Sequence, residues 1–257
     1  MKKELKYYLR SMVFNSKMLE GKIAIITGCG SGIGKAILEL FLDNGAVVYA
    51  VDRDHDSLLK YKDAPFCKPV VMDVANVEHV KTLFIQIKKE QNRLDILVNN
   101  AGIMRDALIG MISKEQVEST YSVNVFAVIE MLQYASKFFK RQQSGVVINL
   151  ASIMGVSGDA GKVLYSSSKG AVISLTKAAA KELAPLNIRV NAIAPGTVDT
   201  ALLDGLDKQQ IGETIARIGM GRLAQPYEIA QVALFLASDM SQYVTGQIIG
   251  VDGSMVV

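Results

Sequence analysis

The sequence predicts an α/β fold in which one doubly wound, seven-stranded parallel sheet carries helices on both faces. Three observations support this. Short β-branched runs alternate with longer helical patterns along the chain. The runs are apolar throughout rather than alternating, as strands buried on both faces are. The 257 residues, half of them hydrophobic, suffice for one sizeable core and contain no repeat, low-complexity stretch or linker.

The elements follow in order. Residues 23–27 (IAIIT) read as the first strand and 33–44 as the helix after it. Strand 46–51 (AVVYAV) leads to a short helix at 57–62, strand 69–72 and helix 77–91. Strand 94–98 precedes one long helix, 114–141. Strand 146–150 precedes helix 165–184, and strand 188–193 precedes helix 226–237 and a last strand at 247–251. Residues 196–222, rich in Leu, Met and Ile, interrupt the alternation and are expected to be a mobile substrate lid. The domain is expected to span 18–257. Residues 1–17 form a separate basic extension, in which Leu5, Tyr8, Leu9, Met12 and Val13 fall on one helical stripe. That stripe suits either an accessory helix packing on the body or a weak membrane-surface anchor.

Composition narrows the function. The extension holds five basic residues against Glu4, a balance of +4, which leaves 23 basic and 24 acidic groups in the rest. The body is therefore nearly neutral, which argues against a nucleic-acid partner. No run reaches transmembrane length, so no membrane span is expected. Cys29 and Cys67 cannot form a disulfide framework and point to a reducing cytoplasm. His55 and His79 are far apart without a carboxylate or cysteine cluster, so no metal is expected.

Thr27-Gly28-Cys29-Gly30-Ser31-Gly32-Ile33-Gly34 follows the first strand and opens a helix. Glycines there permit a tight turn and let backbone N–H groups approach a pyrophosphate at the helix N-terminus. Asp52 closes the next strand, eighteen residues past Gly34. A carboxylate there accepts hydrogen bonds from the adenosine ribose and repels a 2′-phosphate, so the expected cofactor is NAD. Ser31, rather than a basic residue before Gly32, agrees with this, whereas Arg53 beside Asp52 could accommodate the phosphate.

Ser152, Tyr165 and Lys169 are separated by thirteen residues and then four. Tyr165 and Lys169 share one face of the predicted helix, and Ser152 follows a buried strand. An ammonium about 4 Å from the phenol, at an effective dielectric near 20, favours phenolate by roughly 4 kcal/mol. That shift of about three pKa units would bring the phenol near neutrality, where a general acid/base works best.

Together with these motifs, Asp73 in MDV, Asn99-Asn100-Ala101-Gly102, Asn124 in SVNV, Pro195-Gly196 with Thr200, and VTGQIIGVDG near the end give a chain that resembles the short-chain dehydrogenase/reductase superfamily, of its classical type, from about Met18 to Val257. The resemblance implies a single-domain Rossmann fold and a homotetramer. It implies Tyr165 as general acid/base, Lys169 as its partner and a ribose ligand, and Ser152 as the group that polarises the substrate oxygen. Asn124 would hold a water that links Lys169 to solvent. Gly28, Ser31, Gly32, Ile33, Gly34, Asp52, Arg53, Asp73, Val74, Asn100, Ala101, Gly102, Tyr165, Lys169, Pro195, Gly196, Val198 and Thr200 would border the cofactor.

The favoured function is NAD-dependent interconversion of a secondary alcohol and a ketone of moderate size. A 3-oxoacyl-(acyl-carrier-protein) reductase using NADPH or NADH is the alternative. Gly102 to Asp106 and Gly250 to Met255 resemble that branch, and Lys140 and Arg141 could contribute to a basic docking patch. A non-catalytic dinucleotide sensor or scaffold would have no need of Ser152, Tyr165, Lys169 and Asn124 together. Met154, Val163, Leu202, Leu203 and Met220 would line an apolar substrate pocket or pack within the lid.

Overall fold

The computed structural model describes residues 17–203, 205 and 207–256. The basic extension, apart from Lys17, lies outside the described residues. All seven expected strands are present: β1 (Ile23–Thr27), β2 (Val47–Asp52), β3 (Cys67–Val71), β4 (Ile96–Asn99), β5 (Gly145–Leu150), β6 (Ile188–Pro195) and β7 (Ile248–Val251). They pair in parallel in the order β3-β2-β1-β4-β5-β6-β7. The chain winds outward from β1 in one direction and from β4 in the other. The crevice beyond the carboxyl ends of these two strands is where such sheets bind ligands.

Alternate residues of each strand face opposite layers. Ala24, Ile26, Val48, Ala50, Val98 and Ile148 pack against α1 (Gly32–Asp43) and α9 (Pro226–Ala237) through Ile37, Leu38, Phe41, Ile229 and Leu236. On the other face, Ile25, Tyr49, Val51, Leu97, Val147 and Val190 meet α3 (Val77–Glu90), α5 (Ala127–Gln142) and the end of α7 (Val163–Leu183). Burying each such large side chain contributes roughly 1.5–3 kcal/mol.

The chain departs from the sequence expectation in two places that bear on the site. The helix expected over 114–141 is α4 (Lys114–Tyr121), a π-helical turn (Ser122–Phe126) and α5. A π turn inserts one residue into the helical repeat, which hydropathy periodicity does not register. The segment 196–222 holds a 3₁₀ turn (Ala201–Leu203) and α8 (Lys208–Ala216), the latter closed by a capping box between Asp207 and Gln210. Two further short helices are α2 (His55–Leu59) and α6 (Ile153–Ser157). Among the described residues no helix is long and apolar enough to cross a membrane.

Candidate active site

Parallel register brings the carboxyl ends of the central strands to one edge: Thr27 lies opposite Val51, Asn99 opposite Asn149, and Leu150 opposite Ile193. A cleft of about 540 Å³ opens there, within the roughly 300–1,000 Å³ of small-molecule and cofactor sites.

At one end, Thr27 fastens β1 to the segment after β4. Its Oγ1 accepts from the N–H groups of Asn100 and Ala101, both at 3.0 Å. Asn100 Nδ2 donates to the carbonyls of Thr27 and Gly28 at 2.9 and 3.0 Å. Gly28 adopts φ +72°, and a Cβ on Gly34 would lie 1.9 Å from the Gly28 carbonyl oxygen. Only glycine therefore lets α1 start this close to the loop. Ser31 N-caps α1 without a side-chain hydrogen bond, and the first turn holds no acid. The amides there remain free for an anion. Asp52 sits at the end of β2, and its carboxylate accepts from main-chain N–H groups of Gly30 and Asp54. Asp73 Oδ1 accepts from Ala75 N–H at 2.9 Å, which orders the turn that presents Asp73 and Val74.

At the other end, Ser152 N-caps α6, its buried Oγ accepting from Met154 N–H at 3.2 Å. Tyr165 and Lys169 project from the first turns of α7. Lys169 is 4% exposed, and its Nζ donates to the Leu150 carbonyl at 2.6 Å. Burial lowers the Lys169 pKa to about 8.

For Tyr165 the outcome reverses the sequence expectation. Burial raises the phenol above its ordinary value, and the Ser152 hydroxyl only partly offsets it. The Lys169 ammonium lies 5.7 Å from the ring centroid and is turned toward Leu150. Burial therefore sets the direction of the shift, with the ammonium held on Leu150 rather than against the phenol.

Every sequence-predicted cofactor residue lines the cleft: Gly28, Ser31, Gly32, Ile33, Gly34, Asp52, Arg53, Asp73, Val74, Asn100, Ala101, Gly102, Tyr165, Lys169, Pro195, Gly196, Val198 and Thr200. Ser152 lines it as well, whereas Asn124 lies behind its wall. Asn124 Oδ1 accepts from Ile103 N–H, and Nδ2 donates to the Ile103 carbonyl and to Ser168 Oγ. The π turn aims this side chain between the β4 end and α7.

Met154 and Leu203 line the cleft, but Val163 and Met220 do not. Sequence reasoning left out Met72, Ile103, Met104, Val123 and Thr197, which also line it; they neighbour motif residues, and only the packing shows which neighbours face the cleft. Lys140 and Arg141 are engaged within the fold. Lys140 pairs with Glu182 at 3.5 Å, and Arg141 donates to the Asn92 carbonyl while lying over Phe138. Among the described residues no three His, Cys, Asp or Glu side chains cluster as a metal site requires.

The glycine cradle, the uncapped helix end and the Asp52 carboxylate fit a dinucleotide, with a proton-transfer set at its far end. The family described as enoyl-(acyl carrier protein) reductase matches residues 28–255. A 3-oxoacyl-(acyl-carrier-protein) reductase FabG of Thermotoga maritima is 42% identical over 244 residues, covering 93% of this chain and 99% of that protein. A 3alpha-hydroxysteroid dehydrogenase of Mediterraneibacter gnavus is 40% identical over 247 residues, covering 92% and 98%. The FabG of Vibrio cholerae is 35% identical over 239 residues, covering 92% and 98%. The chain belongs to the short-chain dehydrogenase/reductase superfamily and is an oxidoreductase of CH–OH groups.

Proposed function

We propose that the chain interconverts a secondary alcohol and a ketone with NAD(H), using Tyr165 as general acid/base. What carries the reading is the convergence of Ser152, Tyr165 and Lys169 on a cleft whose far end is closed by Asp52. A nicotinamide dinucleotide bound there would supply the hydride in reduction and accept it in oxidation. The chain's own residues do the rest. The free amides of α1 hold the pyrophosphate, Asp52 the adenosine ribose, and Asp73 and Val74 border the adenine. Asn100 to Gly102, Pro195, Gly196, Val198 and Thr200 wall the nicotinamide half. Ser152 Oγ donates to the substrate oxygen, where Tyr165 delivers or removes a proton. Lys169 stabilises the phenolate that results, and Asn124 holds the water that recharges Lys169.

The name and 99% coverage of the Thermotoga relative support a second reading, a 3-oxoacyl-(acyl-carrier-protein) reductase. Lys140 and Arg141 are exposed and make only surface contacts with Glu182 and Asn92, so they are compatible with that reading without favouring it. Exposed Val117, Phe126 and Ile129 on α4, the π turn and α5 support a homotetramer, and the buried free cysteines suit the cytoplasm.

A screen of secondary alcohols, polyols, sterols and 3-oxoacyl thioesters with NAD(H) and NADP(H) tests the proposal. The expected outcome is NAD(H)-linked turnover of a free alcohol or ketone. Exclusive turnover of carrier-bound 3-oxoacyl groups would establish the second reading instead. Asp52→Ala is expected to lower the NAD/NADP ratio of kcat/KM by about tenfold or more; an unchanged ratio would remove Asp52 from the ribose.

A further inference from the structure

We infer that Gly30, which does not line the cleft, is a positioning residue that fixes Asp52 and thereby sets discrimination against a 2′-phosphate. The inference rests on the reading of Asp52 as the ribose ligand.

Each Asp52 oxygen is held by its own main-chain donor. Oδ2 accepts from Gly30 N–H at 2.7 Å and Oδ1 from Asp54 N–H at 3.0 Å. Hydrogen bonds to a carboxylate are roughly twice as strong as neutral ones, so the pair holds one rotamer. The glycine is required by space, since Gly30 is not among the positive-φ glycines. A Cβ would lie 2.5 Å from Ser57 Oγ and 2.9 Å from Asp52 Oδ2. Ser57 Oγ donates to the Asp54 carbonyl at 2.8 Å, so turning it away breaks the hydrogen bond that orders the start of α2.

A side chain at 30 therefore pushes on the carboxylate, on the turn that supplies its second donor, or on both. Arg53, next in sequence, is exposed and lines the same cleft. With Asp52 held in place, a 2′-phosphate meets a fixed negative charge. With Asp52 displaced, the nearest formal charge in sequence is the Arg53 guanidinium, which favours the phosphate. The Gly30 contact thus decides which of two adjacent, opposite charges governs the adenosine end.

Binding of ADP-ribose and of its 2′-phosphate to the full chain, measured by calorimetry, tests this without turnover. The wild type is expected to favour ADP-ribose. Gly30→Ala is expected to lower that preference about tenfold or more while still binding both ligands. Parallel weakening of both ligands, or an unchanged preference, overturns the role of Gly30 and leaves Asp52 as ribose ligand standing. A wild type without preference for ADP-ribose overturns the Asp52 reading itself. Gly30→Ala/Ser57→Ala removes the hydroxyl contact but keeps the Asp52 contact, so it carries the same expectation should the single variant fail to fold.

Discussion

Tyr165→Phe is expected to reduce kcat by about 10²–10⁴-fold, the range that a positioned proton-transfer group supplies. NADH affinity should stay within a few-fold, because the ring and its packing on α7 are retained. The phenol proton must move at the substrate oxygen in either direction of reaction, and the buried Ser152 hydroxyl already has its Oγ accepting from Met154 N–H. Ser152 can orient that oxygen, but the proton-exchanging group beside it is Tyr165 itself, which the variant removes. Pre-steady-state hydride transfer followed by NADH absorbance, together with NADH titration, separates the two effects. Unchanged turnover would sink the assignment of Tyr165.

The second large effect is at Lys169, where activity and stability are expected to move in opposite directions. Its folded pKa of about 8 lies below the ordinary 10.5. Below pH 8 the folded state carries a buried charge that the unfolded chain solvates freely. The difference of 2.5 units corresponds to a cost of about 3 kcal/mol. Between pH 8 and 10.5 the unfolded lysine keeps its proton while the folded one has lost it. Stability therefore rises with pH across that window. Lys169→Met removes the charge but leaves the Leu150 carbonyl without its donor, a loss of roughly 1–2 kcal/mol. The variant should be inactive yet more stable by about 1–2 kcal/mol at pH 7, an advantage that shrinks above pH 8 and reverses before pH 10.5, where only the lost hydrogen bond is left. Denaturant unfolding at several pH values measures this. A destabilised variant at neutral pH would show that Lys169 is not held at a cost.

Much of this architecture is legible in the sequence, because the relevant signals are local. Apolar runs such as IAIIT and AVVYAV mark strands through composition alone. The glycines between β1 and α1 mark a close approach that few other residues permit. The motif residues at the strand ends accordingly meet in one cleft, as their order implies. What sequence did not yield depends on distances set by packing. The separation of the Lys169 ammonium from the Tyr165 ring is set by the Leu150 carbonyl, which takes up the ammonium. Burial of the phenol, which no motif registers, reversed the expected direction of the Tyr165 shift. In sequence Gly30 is one more glycine of the loop; its neighbour Ser57, twenty-seven residues on, is brought against it only by the fold. Met72, Ile103 and Met104 flank the motif residues singled out in the sequence and join the wall because they follow the ends of β3 and β4.

The π turn at Ser122–Phe126 carries a consequence for the tolerance of this chain to deletions. Loss of one residue from a helix ordinarily rotates everything beyond it by about 100° and breaks the packing. Here the helix already carries one residue too many, so excising Val123 would restore an uninterrupted α-helical repeat. Lys114 to Gln142 could then run as a single rod with α5 still seated on the sheet. The Asn124 amide, however, would leave Ile103 and Ser168. A shorter chain with a more regular helix is expected to lose the placement of Asn124 while keeping its fold, so the extra residue serves that side chain's position rather than the continuity of the helix.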